Sequence, residues 1–231
     1  MSRFFAATCA AALLATAGCL DTEPATTTLD FDLTVSPLGD NWEPGAADFP
    51  VGQEAAVDFV GDRRALPAEV GTASALYQSG TNVSGDLFVF QRKYWSGLRP
   101  LTTYKATLQV QFVSNVHSGC TSGLGTGVVI KAGVTSIEPR ADPDPQGVYR
   151  MSIDKGSGTA AGDFVQLGDI RNGLTGCPAI GTYAVRNTAT LPQSTDFTTD
   201  DLGGFWMFIG TQSSVLARHE IYITRVGLRI Q

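Results

Sequence analysis

The sequence predicts an all-β protein, a single antiparallel β-sandwich of jelly-roll type behind an N-terminal signal peptide. Three observations predict this fold class. Apolar and polar residues alternate with a period of two along residues 104–112, as in a strand with one covered face and one wet face. Residues 87–90 and 204–209 are continuous apolar runs, which are typical of strands covered on both faces. The 26 glycines indicate many turns between short strands.

The other strands are predicted from apolar and β-branched runs that Gly, Pro and Asp separate. These runs cover residues 29–35, 54–60, 74–78, 128–132, 147–153, 163–170, 182–186, 196–199 and 220–230. The one helical hint, at residues 68–76, is short and is interrupted by Gly71. About 200 residues remain after the leader and tether, which suits one large sandwich with a sizeable core.

A turn that leads into a strand lies at residues 97–104 (GLRPLTTY). In Greek-key sandwiches an early strand tyrosine after such a turn hydrogen-bonds back to the backbone, an arrangement called a tyrosine corner. We therefore expect the Tyr104 hydroxyl to bond to the turn before it. The segment supports sandwich topology and says little about function.

The first 18 residues have the features of a secretory signal peptide. Arg3 provides the positive region, residues 4–15 are largely apolar, and small residues precede Cys19. The apolar stretch is too short to span a hydrocarbon core, which needs about 20 residues. We therefore expect export of the chain, and no permanent transmembrane helix at this position.

Ala17-Gly18-Cys19 resembles the lipobox of bacterial lipoproteins, in which the cysteine after the cleavage site carries diacylglycerol on its sulfur. The resemblance implies a signal peptide over residues 1–18, a lipidated Cys19 with a flexible tether over 19–28, and the sandwich over 29–231. Thr16 departs from the usual leucine, and Ala15-x-Ala17 also fits signal peptidase I, which would release a free protein. Leu20, in place of Asp, favours the outer membrane or cell surface over the inner membrane.

Cys120 and Cys177 lie in glycine-rich segments that are predicted to be loops. Once Cys9 is cleaved off and Cys19 is acylated, these two remain as an even pair in an oxidising compartment. A disulfide between them would stabilise the fold by roughly 4 kcal/mol through chain entropy. Metal ligation with the nearby His117 is the alternative, although no CxxC spacing supports it.

Charge excludes one class of partner. The formal net charge is −6, and the sequence contains no cluster of Lys and Arg. Nucleic acid requires positive charge to meet its phosphates, so we expect no nucleic-acid partner. The expected membrane contact is the lipid anchor, since an acidic domain does not dock electrostatically on anionic lipid.

Five segments resemble a group of uncharacterised bacterial lipoproteins and secreted proteins. They are residues 42–52 (WEPGAADFPVG), 79–88 (SGTNVSGDLF), 97–104, 129–133 (VIKAG) and 149–156 (YRMSIDKG). The resemblance covers most of residues 30–231 and implies a β-sandwich like that of carbohydrate-binding modules, with no established activity. Relatives have two aspartates before Leu-Phe, whereas this chain has Gly85-Asp86.

No catalytic motif is present: neither His117 nor His219 lies in HExxH, and there is no GxSxG elbow or P-loop. We therefore expect a protein that is not an enzyme. No cofactor is firmly implied. Asn82 and Asp86 are oxygen donors in turn-rich sequence and are candidate ligands of a structural calcium. The alternative is that these side chains only cap their own turns.

Exposed aromatic rings bind sugars, because their faces stack on the CH groups of pyranose rings and exclude water. Trp42, Tyr94 and Trp95 lie at or near predicted loops and are the candidate ligand-binding residues, with a hydrophobic plug as the alternative for Trp42. Trp206 lies in an apolar run and is expected in the core. The sequence thus predicts an envelope-anchored module that binds a glycan or cell-wall polymer. The alternative is a lipoprotein with a structural or protein-interaction role and no small ligand.

Overall fold

The computed structural model of the protein describes residues 26–35, 41–155, 163–188 and 194–231. The signal peptide, Cys19 and the tether up to residue 25 lie outside the described residues, so the processing of the N-terminus stays a prediction. Within the described ranges, no helix is long and apolar enough to cross a membrane.

Fifteen strands and two four-residue helices lie in these ranges. The strands are β1 (Thr27–Asp32), β2 (Glu43–Ala47), β3 (Phe49–Pro50), β4 (Val60–Ala65), β5 (Ser74–Thr81), β6 (Leu87–Ser96), β7 (Thr103–Ser114), β8 (Val128–Thr135), β9 (Ala141–Pro143), β10 (Val148–Met151), β11 (Phe164–Asp169), β12 (Ala184–Asn187), β13 (Ser194–Thr198), β14 (Gly204–Ser213) and β15 (Arg218–Ile230). The helices are α1 (Glu54–Val57) and α2 (Leu124–Gly127).

Two antiparallel sheets form the sandwich. The first sheet has the strand order β12-β7-β15-β5-β4, with β1 paired to β15 and β13 paired to β7. The second sheet has the order β11-β8-β14-β6-β2. The prediction of an all-β, antiparallel sandwich with a single domain is confirmed.

The main core lies between these two sheets and follows from the alternation of their strands. Along β7, Ala106, Leu108, Val110 and Phe112 are buried, while the residues between them point away from the core. The second sheet contributes Met207 and other apolar side chains to the same cluster. Each strand therefore presents one face to this core and the other to the outside of the sandwich.

A small third sheet, of order β3-β10-β9, lies outside the second sheet. Beneath it a second apolar cluster is made of Phe88, Phe90, Phe164, Phe208 and Ile153, with Met151 packed against it. The strands β6 and β14 thus bury side chains on both faces, which explains their continuous apolar runs.

Glycines make room for these rings on the sheet surface. A Cβ atom on Gly210 would lie 2.4 Å from Cζ of Phe88, and one on Gly133 would lie 2.5 Å from Cζ of Phe208. The rings therefore lie over backbone that carries no side chain, and larger residues at these two positions would displace them.

Two local predictions are wrong. Residues 54–57 form α1, where a strand was predicted, because Glu and Ala favour helix and the chain must reverse between β3 and β4. Asp58 ends this turn in the left-handed conformation, with φ of 44°. The helical hint at residues 68–76 is also wrong, whereas the strand predicted at residues 74–78 is present as β5. Pairing with β15 decides this segment, and tertiary pairing overrides weak local propensity.

The predicted disulfide and tyrosine corner are both present. Cys120 and Cys177 are bonded to each other. His117 packs beside this bridge, where its Nε2 accepts the Thr182 backbone N–H at 3.0 Å. The Arg99 backbone N–H donates to the Tyr104 hydroxyl at 3.2 Å, which ties the turn to the start of β7.

Candidate binding face on the second sheet

The third sheet covers one end of the outer face of the second sheet, and aromatic rings occupy the other end. Tyr94 of β6 and Trp206 of β14 are directly opposite each other in the strand register. Their ring centroids are 5.4 Å apart, with 58° between the ring planes. We call this pair the aromatic platform.

Both rings of the aromatic platform are accessible. Tyr94 is 39% exposed, and Trp206 is partly exposed. Two apolar side chains nearby are also strongly exposed. Ile137 lies just after β8, whose last residue is opposite Trp206 in the strand register, and Leu202 lies in the turn before β14. Exposed apolar and aromatic side chains therefore gather at this end of the sheet, where a ligand could cover them.

Asp200 holds the Tyr94 ring in place. One carboxylate oxygen accepts the Tyr94 hydroxyl at 2.7 Å, and the other accepts backbone N–H groups of Leu202 and Gly204 at 2.9 and 2.7 Å. The hydrogen bond from Tyr94 is the main reason that the pKa of Asp200 is lowered, and the same bond raises the pKa of Tyr94. The phenol is thus a neutral, oriented donor whose ring position is fixed by the turn.

Arg92 forms the charged edge of the aromatic platform. Its guanidinium lies 5.4 Å from the centroid of the Trp206 ring, within the range of a cation–π contact. It also pairs with Glu43 at 2.8 Å and with Glu138 at 3.0 Å. The aromatic platform is therefore bordered by one cation and three carboxylates, groups that can donate to and accept from ligand hydroxyls.

The structure does not bring the three predicted ligand-binding residues together. Tyr94 lies on the aromatic platform, whereas Trp95, its neighbour in the strand, points to the other face and packs against Phe205 at 5.7 Å. Trp42 is only 9% exposed and meets Phe31 edge-to-face at 6.3 Å, which matches the alternative of a hydrophobic plug.

Trp206 was expected in the core but lies on the outer face of its sheet. The signal that could have placed it is the strand period along β14. Phe205, Met207 and Ile209 share the inward phase, while Trp206 shares its phase with Gln212, a polar residue. The apolar run hid this alternation because Phe208, also in the outer phase, is covered by the third sheet.

The two candidate calcium ligands already have other partners. Oδ1 of Asn82 accepts the backbone N–H groups of Ser84 and Gly85 at 3.1 and 2.8 Å, as in a turn that caps its own backbone. Asp86 contacts the side-chain amide of Gln212 and lies 3.6 Å from Nζ of Lys155. In the part of the chain that the structure describes, no three His, Cys, Asp or Glu residues are grouped to hold a metal ion.

Comparison with known proteins gives only distant likenesses. No protein-family model and no curated protein matches the chain. Among solved structures, the mannan-recognising carbohydrate-binding module TmCBM27 aligns with a TM-score of 0.41 and 14% identity, over 90% of this chain and 99% of that one. The K1 cleaved adhesin domain of Lys-gingipain from Porphyromonas gingivalis W83 aligns with a TM-score of 0.27 and 11% identity, over 89% and 98%.

The enzymatically active domain of tailspike protein 4 from bacteriophage CBA120 aligns with a TM-score of 0.35 and 10% identity, over 80% of this chain. The chain spans only 19% of that tailspike structure. At these TM-scores the likenesses carry no argument about function.

Proposed function

We propose that the protein is an exported lipoprotein, anchored through Cys19, whose sandwich domain binds a glycan or cell-wall polymer on the aromatic platform. The observation that carries the proposal is the pair of accessible rings, Tyr94 and Trp206, on a rigid sheet. Ring faces of this kind stack on the CH faces of sugars, and burial of that apolar area supplies affinity.

The polar border of the aromatic platform supports the same ligand class. Arg92, Glu43, Glu138 and Asp200 already hold one another or Tyr94 in fixed positions, so little side-chain freedom is lost when a ligand binds. Sugar hydroxyls both donate and accept hydrogen bonds, and a mixed border of one guanidinium and several carboxylates can meet both needs.

Calorimetric titration of the exported domain against a panel of neutral and acidic oligosaccharides tests this proposal. We expect one class of oligosaccharide to bind and Trp206→Ala to weaken that binding at least tenfold, as loss of a central aromatic contact does. Tyr222→Ala is the matched control, because it removes a partly exposed ring from the outer face of the first sheet. Binding that Trp206→Ala leaves unchanged would contradict the proposed site. Absence of any glycan binding would favour the protein-interaction alternative.

The anchor is tested separately in the exporting host. Cys19→Ser is expected to move the protein from the membrane fraction to the soluble fraction and to remove the mass of the lipid. If the parent protein is already soluble after export, the signal peptidase I alternative is correct.

A further inference from the structure

A polar cleft of about 170 Å³ lies on the outer face of the second sheet, away from the aromatic platform. Its lining includes Asp86, Lys131, Gln166 and Gln212, with the hydroxyl-bearing Thr126 and Ser214 at its edge. Lys131 of β8 pairs with Gly210 of β14, four residues along the strand from Trp206. At about 3.3 Å per residue, this separates Lys131 from the aromatic platform by about 13 Å along the sheet.

Lys131 is a buried cation, with only 3% of its surface exposed. Its ammonium donates a hydrogen bond to the backbone carbonyl of Lys155 at 3.1 Å. A carbonyl is a neutral acceptor, so this hydrogen bond does not place a negative charge against the ammonium. An ammonium has three N–H donors, so it can bind further acceptors that enter the cleft.

The nearby carboxylates are engaged by other groups. Asp48, itself buried, pairs with Arg150 at 3.2 Å and also contacts Lys155. Asp86 contacts Gln212 and lies near Lys155. Burial lowers the pKa of Lys131, and the charge of Lys155 lowers it further. The carboxylates of Asp86, Asp154 and Asp48 act in the opposite direction, but they do not outweigh burial and the charge of Lys155.

A buried ammonium costs several kcal/mol unless an anion is placed against it. The position could hold an apolar residue, since Phe208 and Phe164 occupy the same face under the third sheet. A buried cation that lines an accessible cleft is therefore a candidate ligand-binding group.

We propose that this cleft receives the carboxylate of an acidic sugar, so that the glycan is a uronate-containing polymer and Lys131 recognises its charge. The side-chain amides of Gln166 and Gln212 would meet the hydroxyls of the same sugar ring, since amides both donate and accept. The inference rests on the proposed glycan function and names the ligand class.

Calorimetry with three tetrasaccharides of one linkage tests the inference on the exported domain. The probes are a galacturonate tetramer, its methyl ester and the corresponding galactose tetramer. We expect the galacturonate to bind at least tenfold more tightly than the other two. The methyl ester keeps the shape and removes the charge, so this comparison requires no variant protein.

Lys131→Met is expected to abolish the preference for galacturonate, so that the ratio of the galacturonate affinity to the galactose affinity falls to about one. Lys93→Met is the matched control. Lys93 is also a buried lysine, and burial lowers its pKa too, but its side chain points to the opposite face of the second sheet. Its preference should equal that of the parent protein.

Equal affinity for the charged and esterified probes, or a preference that survives in Lys131→Met, would overturn the inference. A third outcome separates the inference from the proposed function. In that outcome the galactose tetramer binds, Trp206→Ala abolishes its binding, and the galacturonate tetramer binds no more tightly than the galactose tetramer. The inference then fails while the proposed function stands. Failure of all three probes to bind at millimolar concentration overturns the inference as well.

Discussion

The outer faces of the two sheets differ in what covers them. The first sheet presents polar and charged side chains, with Gln109, Gln111 and Arg225 bordering an open groove of about 420 Å³. On the outer face of the second sheet, four phenylalanines lie under the third sheet. Tyr94 and Trp206 lie on another part of the same face, where the third sheet does not cover them. Because both sheets contribute their inner faces to one core, the outer faces are free to differ in function.

Aromatic side chains are also present on the first sheet, but they are bound internally. The hydroxyl of Tyr77 donates to Glu220 at 2.6 Å, and Tyr183 contacts the same carboxylate. Burial and the nearby Glu220 raise the pKa of Tyr183, which keeps it a neutral donor. Tyr77 is buried and Tyr183 is only partly exposed, whereas Tyr94 of the aromatic platform is 39% exposed. The difference is why we assign ligand binding to the second sheet.

The largest expected contrast is in stability. Phe208→Ala removes a fully buried ring whose centroid lies 4.1 Å from the centroid of the Phe164 ring. The substitution should lower the free energy of unfolding by about 3–5 kcal/mol. Arg229→Ala, on the exposed outer face of β15, should change it by less than about 0.5 kcal/mol. Urea denaturation of the two variants measures both. Similar losses would mean that the third sheet does not cover the second sheet as described.

The interior between the two sheets gives a prediction about how stability depends on pH, because His219 is buried there. Burial lowers the pKa of His219 from 6.5 to about 4, and its Nε2 lies 3.0 Å from the Thr211 hydroxyl. The unfolded chain binds a proton near pH 6.5 that the folded protein does not bind until about pH 4. Stability present above pH 6.5 is therefore lost as the pH falls towards 4, by about 3 kcal/mol in total.

Denaturant midpoints measured between pH 7 and pH 4 test this dependence. His219→Gln removes the titrating group and should flatten the stability profile over that window, while leaving the acid-induced losses from carboxylates at lower pH. An unchanged slope in this variant would show that His219 is not the group responsible.

Two strand glycines should respond in opposite ways. Alanine at Gly210 would place its Cβ 2.6 Å from the Val89 carbonyl oxygen as well as against Phe88, and should cost about 1–3 kcal/mol. Alanine at Gly227, where the nearest atoms of Gln109 lie at 4.0 Å, should be neutral or stabilise by up to about 1 kcal/mol. Thermal melts of both variants provide the measurement. A loss at Gly227 as large as that at Gly210 would contradict the open groove on the first sheet.

Local patterns predicted much of the fold because they depend on neighbours in sequence. The alternation at residues 104–112 identified β7, and the turn before Tyr104 identified the tyrosine corner. The run at residues 87–90 correctly indicated two covered faces, although it could not show that a separate small sheet provides the second cover. The pairing of Cys120 with Cys177 followed from counting thiols.

The candidate site was less predictable because it depends on contacts between distant segments. Trp206 meets Tyr94 only through the pairing of β6 with β14, and the apolar run around it resembles core. Lys131 alternates with apolar neighbours like any strand residue with a wet face. Its burial and its hydrogen bond to the Lys155 carbonyl depend on a segment 24 residues further along the chain, which the local pattern does not show.

The central claim is that ligand binds the outer face of the second sheet, and amide chemical-shift mapping tests it most directly. The isotope-labelled domain would be titrated with the tetrasaccharide of highest affinity. We predict shifts concentrated at residues 92–96, 135–138 and 200–206, with a second group near Lys131 if the probe is acidic. Shifts centred on the first sheet's groove, at residues 28–30, 109–111 and 225–227, would contradict the account.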